Sequence, residues 1–214
     1  MSVMDMWKSN TATWMLLIVL NMAMFTLGTL PWTVLGLICL ALAMFFSFRQ
    51  GMSFGHRACG ILETVRRAAD PDSPAHGQLD KNVMDCYWSA GRGVKGLLAS
   101  ALIPYLVGCL YIACSLLNRG PIMPLRLASW VLASPFWPVV LSWYHTFDRL
   151  TGVVAAVLMI YPFVLPLCFF GGYMQGPRLW ANSEKAMAEG KRRAKAKSRV
   201  NRARRAPRSQ RPEI

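Results

Sequence analysis

The most constraining feature of this sequence is a long stretch near its start that carries no charge. Between Lys8 and Arg49 there is no Asp, Glu, Lys, Arg or His. One membrane crossing takes about 20 apolar residues, so this stretch is long enough for two crossings. Over the whole chain only 16% of residues are charged, whereas a soluble domain carries about 25%. The sequence therefore predicts an integral membrane protein.

Four apolar segments have the length of membrane-spanning helices, at roughly residues 12–30, 33–48, 97–117 and 152–173. Pro31 separates the first two, and proline interrupts a helix. Trp32 beside it suits the aromatic belt at a membrane surface. The predicted fold class is all-α, a polytopic membrane protein with four spans.

A fifth apolar segment, residues 127–145, is interrupted by Pro135 and Pro138. A broken helix at membrane depth is tolerated where its freed backbone groups face protein or water. We expect this segment either to enter the membrane and return, as a re-entrant segment, or to lie at the interface.

Residues 49–96 form the one long polar excursion between predicted spans. Apolar residues from Phe54 to Ala69 recur at helical spacing, with charged residues on the opposite face. A second helical piece is predicted to start near Asp80. The two pieces are expected to pack as a cytoplasmic amphipathic helical hairpin, although the first could also lie on the membrane surface.

Positive charge sets the predicted orientation, because Lys and Arg stay on the cytoplasmic side of a membrane. With four crossings and no crossing by 127–145, 21 Lys/Arg lie inside and 3 outside. If 127–145 also crossed, the counts would be 15 and 9. The first arrangement places the protein in the plasma (inner) membrane as a multi-pass protein with both termini cytoplasmic.

These divisions give four regions. They are an N-terminal transmembrane hairpin (1–48), the cytoplasmic helical hairpin (49–96), a C-terminal membrane region (97–177) with the broken segment 127–145, and a basic cytoplasmic tail (178–214). The tail alone has 13 Lys/Arg against 3 Asp/Glu, within a chain whose net charge is +14.

The tail is the first candidate binding site, for lipid or for a partner. Its basic residues are Lys191, Arg192, Arg193, Lys195, Lys197, Arg199, Arg202, Arg204 and Arg205. Three partners remain open: anionic lipid of the inner leaflet, ribosome or other nucleic acid, and an acidic protein.

The second candidate site is a pore mouth or substrate site in and after the broken segment, formed by Ser134, Trp137, His145 and Asp148. Discontinuous helices beside polar groups mark binding sites in transporters. Trp and His also sit commonly at the lipid headgroup boundary, which is the alternative interpretation of the same residues.

No catalytic, metal or cofactor motif is present, so we predict that the protein is not an enzyme and holds no cofactor. The predicted function is a non-enzymatic scaffold or accessory component that docks partners or anionic lipid through its tail. The alternative is a channel or small-solute permease built around 127–150. It would be a homo-oligomer, because four spans enclose little volume.

Overall fold

The computed structural model describes residues 2–24, 29–72, 86–117, 123–136 and 152–205. Every regular element within those ranges is helical. The helices are α1 (Val3–Met24), α2 (Thr29–Ala69), α3 (Ala90–Leu116), α4 (Met123–Ala133), α5 (Gly152–Met174) and α6 (Gly176–Arg205), with one 3-10 turn at Ser134–Phe136.

Three stretches of helix are long and apolar enough to cross a membrane. They are Thr33–Ala69 in α2, Ala90–Leu116 in α3, and Val154–Ser198 across α5 and α6. The predicted all-helical membrane protein is therefore confirmed with three candidate spans. The first predicted span, 12–30, is helical as far as Met24 but is not among the three, and residues 25–28 lie outside the described part of the chain.

Consecutive long helices alternate in direction. Gly96 of α3 lies against Met6 of α1, and one turn later Asn10 donates a hydrogen bond to Ser100, so α1 and α3 run the same way. Gly93 and Gly108 of α3 lie against Tyr173 and Leu158 of α5 in reverse order, so α5 runs the opposite way to α3. Ser9 donates a hydrogen bond to Gln50 in the second half of α2, which runs parallel to α5 and therefore opposite to α1. The beginning of α1 therefore lies at the same end of the bundle as the second half of α2.

The apolar core lies between α1, α2 and α5. It includes Leu17, Leu40 and Leu165, all less than a tenth exposed, and it receives Ala133 from the end of α4. The outer surface is also apolar, since Leu16, Phe45 and other large side chains on the outward faces are more than half exposed. Apolar surface of this extent needs a nonaqueous environment or a partner, which agrees with placement in a bilayer.

A reciprocal hydrogen-bonded pair fixes the start of α1. The Ser2 backbone N–H donates to the Asp5 carboxylate at 2.9 Å, and the Asp5 N–H donates to Ser2 Oγ at 3.2 Å. The hydrogen bond from the Ser2 backbone holds the pKa of Asp5 below its usual value. This cap satisfies N–H groups that the first helical turn leaves without partners.

The polar excursion differs in detail from the expected pair of helical pieces. Its first piece is no separate element, because α2 continues without interruption from Thr29 to Ala69, over 41 residues. A helix of that length is about 60 Å long, twice the thickness of the hydrocarbon core. At the other end, residues 86–89 are not helical and α3 begins only at Ala90. The predicted start near Asp80 lies outside the described residues.

Candidate functional site

The predicted basic site lies on α6, which is a single helix of 30 residues. From Glu184 to Ser198 every side chain is exposed, including those of Lys191, Arg192, Arg193, Lys195 and Lys197. Arg199, Arg202, Arg204 and Arg205 continue the same helix, although the placement of their side chains is not described. We call residues 184–205 the basic arm. It contains ten Lys/Arg and two Glu.

The first two turns of α6 attach it to α2. The Trp180 ring lies over Gly60, where an added Cβ would come within 3.0 Å of the ring. His56 lies beside the same ring, with 5.2 Å between centroids, and its Nε2 is 3.3 Å from Ser183 Oγ. Ser183 is the last residue of α6 before the arm, so the arm projects beyond this attachment.

Two G-x-x-x-G sequences bring α2 against α5 and α6. Gly51 and Gly55 on α2 lie against the backbone of Phe169 and Tyr173, while Gly172 and Gly176 lie against the backbone of Phe48 and Gly55. At each of the four positions an added Cβ would overlap backbone atoms of the facing helix. At Gly172 the nearest of these is the Phe48 carbonyl oxygen. Small residues at this spacing let helix backbones approach closely inside membranes. Residue numbers rise in the same direction on both sides of this contact, so α2 runs parallel to α5 and α6.

Tyr173, near the end of α5, contacts both α2 and the residues that precede α3. It is 1% exposed, and its hydroxyl accepts a hydrogen bond from the Ser89 N–H at 3.2 Å. The Trp88 ring stacks against it at 6.2 Å between centroids, and the backbone N–H of Trp88 donates to the Ala58 carbonyl at 2.9 Å. Gly93 leaves room for the tyrosine ring. These contacts place the start of α3 next to Ala58 of α2, close to the point where α6 is attached.

Few acidic groups compensate the charge of the arm within the described residues. Arg193 lies 3.8 Å from Glu189, and both side chains are more than two-thirds exposed. An exposed pair of this kind contributes less than about 1 kcal/mol. The positive charge of the arm therefore faces solvent without a strong internal partner.

Of the predicted pore residues, the structure describes only Ser134. It is 4% exposed and lies in the 3-10 turn after α4. In the same turn the Phe136 ring lies 6.1 Å from the Trp14 ring and 5.9 Å from the Tyr161 ring, between centroids. Trp137, His145 and Asp148 lie outside the described residues, so the pore site stays a prediction.

Sequence reasoning missed the four glycines and one polar residue, Asn10. The signal for the glycines was present in the sequence, because two G-x-x-x-G sequences lie at the polar ends of apolar segments. Asn10 lies two residues before the predicted start of the first span, so the sequence alone gives no reason to place it inside the bundle.

No family model, curated protein or solved structure matches this chain. Its function must be inferred from its own residues and geometry. Among the described residues, no group of three or more His, Cys, Asp or Glu comes together that could hold a metal ion.

Proposed function

We propose that the protein is a membrane-anchored docking protein whose basic arm binds nucleic acid in the cytoplasm. The observation that carries this proposal is the exposure of the arm, which extends as a cationic helix beyond its attachment to α2. Three lines of physical argument favour nucleic acid over the other partners.

Most of the positive charge of the arm lies far from the membrane surface. Arg49 is the first charged residue after the uncharged stretch, and its neighbour Phe48 lies beside Gly172, so the membrane boundary falls near Tyr173. Lys191 is 18 residues further along, about 27 Å in a straight helix. Attraction to anionic headgroups falls off within a Debye length, about 8 Å at physiological salt. Membrane lipid is therefore a poor partner for the arm.

The basic arm has no continuous apolar face. Helices that lie in a membrane surface bury large apolar side chains such as Trp, Phe and Leu. Beyond Trp180 the only large apolar residues of α6 are Met187 and Val200. The arm has nothing with which to enter the lipid.

Positive charge on the arm is distributed over several sides of the helix. At 100° per residue, the nine basic residues of the candidate site are not confined to one side of the helix. A folded acidic protein presents charge to one face, whereas a flexible phosphate backbone can follow a helix from several sides. Lys and Arg neutralise such a backbone without reading its sequence. Base stacking is not expected, since the arm contains no aromatic residue.

For the membrane part we propose four spans, with α1 as the fourth beside the three candidates. The alternating direction of α1, α2, α3 and α5 supports this arrangement, and so does the excess of Lys and Arg at one end. The proposed location is the plasma (inner) membrane with both termini cytoplasmic. The contacts of Phe136 with Trp14 and Tyr161 favour a re-entrant course for 127–145 over a surface-lying one.

The test compares two triple variants of the full-length protein in nanodiscs of phosphatidylcholine. Lys191→Gln/Arg192→Gln/Arg193→Gln removes three charges from the arm. The control, Arg57→Gln/Arg66→Gln/Arg67→Gln, removes three exposed charges from α2. Binding of a fluorescent single-stranded RNA is followed by anisotropy across a salt titration. For the arm variant the slope of log K against log salt should become shallower by about 2, since each phosphate contact contributes about 0.7.

The control variant should keep a slope close to that of the unmodified protein. Equal losses in both variants would mean that RNA senses only net charge, and the proposal fails. It also fails if the unmodified protein binds an acidic polypeptide more tightly than RNA. Binding of anionic phosphatidylglycerol vesicles that depends on the arm, without RNA binding, would assign the arm to lipid instead.

A further inference from the structure

A cleft inside the helix bundle carries a second inference, independent of the basic arm. It lies between α1, α3 and α5 and has a volume of about 110 Å³. Each helix lines the cleft with two residues spaced four apart, which lie on successive turns of the same helix face. These are Asn10 and Trp14 on α1, Ser100 and Pro104 on α3, and Pro162 and Pro166 on α5.

Two buried side chains on the wall of the cleft each have one polar atom without a hydrogen-bond partner in the described part of the chain. Asn10 is 4% exposed, and its Nδ2 donates to Ser100 Oγ at 3.2 Å. Its Oδ1 accepts no hydrogen bond from the described part of the chain. Trp14 is 8% exposed, and its Nε1–H has no acceptor there either. Burial of an unpaired polar group is costly, so one free acceptor and one free donor side by side suggest a ligand.

The two side chains lie one turn apart on the same face of α1. Asn10 and Trp14 are four residues apart on one helix, and such side chains are neighbours on the helix surface. The hydroxyl oxygen of a ligand could donate to the asparagine and accept from the indole. The cleft therefore fits a group that is both donor and acceptor.

Prolines leave two backbone carbonyls of lining residues without their usual helical donor. Pro104 has no N–H to donate to the Ser100 carbonyl, and Pro166 has none for the carbonyl of Pro162. Both carbonyls belong to residues that line the cleft. Among the described residues that line the cleft, none has a charged side chain, so these residues offer a charged headgroup no counter-charge.

The cleft opens sideways, towards the apolar outer surface. Met15 and Ile103 line it and are 58% and 56% exposed, on α1 and α3 respectively. A ligand that enters here comes from the hydrocarbon of the bilayer. The volume is enough for a polar end and a few carbons, since one water takes about 30 Å³, and the remaining chain would extend past these two residues.

We infer that the cleft binds the hydroxyl end of an uncharged lipid, such as a long-chain alcohol or an acylglycerol. Its hydroxyl donates to Asn10 Oδ1 and accepts from Trp14 Nε1–H, while its chain leaves between α1 and α3. Water is the competing occupant, because it also donates and accepts, but water leaves the apolar part of the wall unfilled.

The test uses full-length protein in phosphatidylcholine nanodiscs and a photoactivatable hexadecanol with a diazirine on its chain. Unlabelled hexadecanol competes with the probe, and so does hexadecyl methyl ether, which accepts a hydrogen bond but donates none. Mass spectrometry locates the labelled peptides. We expect labelling within residues 7–15 and 100–104, and competition by the alcohol about threefold to tenfold stronger than by the ether, the range for one hydrogen bond.

Two variants and their matched controls complete the test. Trp14→Phe keeps the ring and removes the donor, so labelling affinity should fall about threefold to tenfold, whereas Trp180→Phe on α6 should leave it unchanged. Asn10→Leu is compared with Asn21→Leu, since Asn21 is also buried with an unpaired Oδ1 but does not line the cleft.

Equal competition by alcohol and ether overturns the inference, as does Trp14→Phe labelling that matches the unmodified protein. Labelling spread evenly over the outer faces of the helices would leave the cleft to water and also overturn it. If Asn10→Leu does not fold, the comparison of alcohol with ether and the Trp14→Phe variant still decide. RNA binding by the arm is unaffected by any of these outcomes.

Discussion

At four glycine positions, a hydrogen atom in place of a side chain determines how closely α2 approaches α5 and α6. Their counterparts across the contact are backbone atoms, which cannot turn aside as a side chain can. Gly190 on the basic arm is different, because a Cβ there would meet nothing within 4 Å. The two environments make opposite predictions for the same substitution.

Gly172→Ala should destabilise the protein. Alanine favours a helix over glycine by about 0.5–1 kcal/mol, but overpacking against a close neighbour costs about 1–3 kcal/mol. The net loss is expected to be roughly 1–2 kcal/mol, measured by SDS titration in mixed micelles with circular dichroism. Gly190→Ala should be neutral or slightly stabilising. A Gly172→Ala protein as stable as the unmodified one would show that the helices are not held at this distance.

At the scale of one helix, α6 divides into two parts with different support. As far as Ser183 it packs on α2, whereas every residue from Glu184 to Ser198 is exposed. Isolated helices are marginal in water, and like charges four apart, such as Lys191 and Lys195, weaken them further. Packing stabilises the first part alone.

Hydrogen exchange should therefore show a boundary near Ser183. Amides of residues 176–183 should be protected, and those of the arm should exchange orders of magnitude faster, since local opening there breaks few contacts. Addition of single-stranded RNA should slow exchange in the arm without changing the first part. Uniform protection along α6 in the absence of RNA would contradict this division.

The sequence predicts some of these elements better than others, for physical reasons. Apolar length identifies α2, α3 and α5, because the bilayer demands it. The continuity of α2 past Arg49 could not be predicted from polarity, since a polar segment may start a loop or extend a helix. Packing on Trp180 and Tyr173, contributed by distant parts of the chain, decides between them. The cleft was also hidden, since Asn10 meets Ser100 across 90 positions of sequence.

At the scale of the whole molecule, helix directions place the start of α1 and the whole of α6 at one end of the bundle. Leu117, the residue directly after α3, lies at the opposite end. In a variant whose native cysteines are replaced by alanine, Ser2→Cys and Gly190→Cys should react with an impermeant maleimide in inside-out vesicles. Leu117→Cys should react only in right-side-out cells. Reaction of Ser2→Cys and Gly190→Cys from different sides would refute four crossings.

The unbroken length of α2 gives the molecule a mechanical property. Leu40 in its first half belongs to the apolar core, and Gly60 in its second half lies against Trp180 of α6. One continuous helix joins these two contacts, with no loop between them. A displacement of α6 at Gly60 would therefore be passed along α2 to the side chains packed around Leu40.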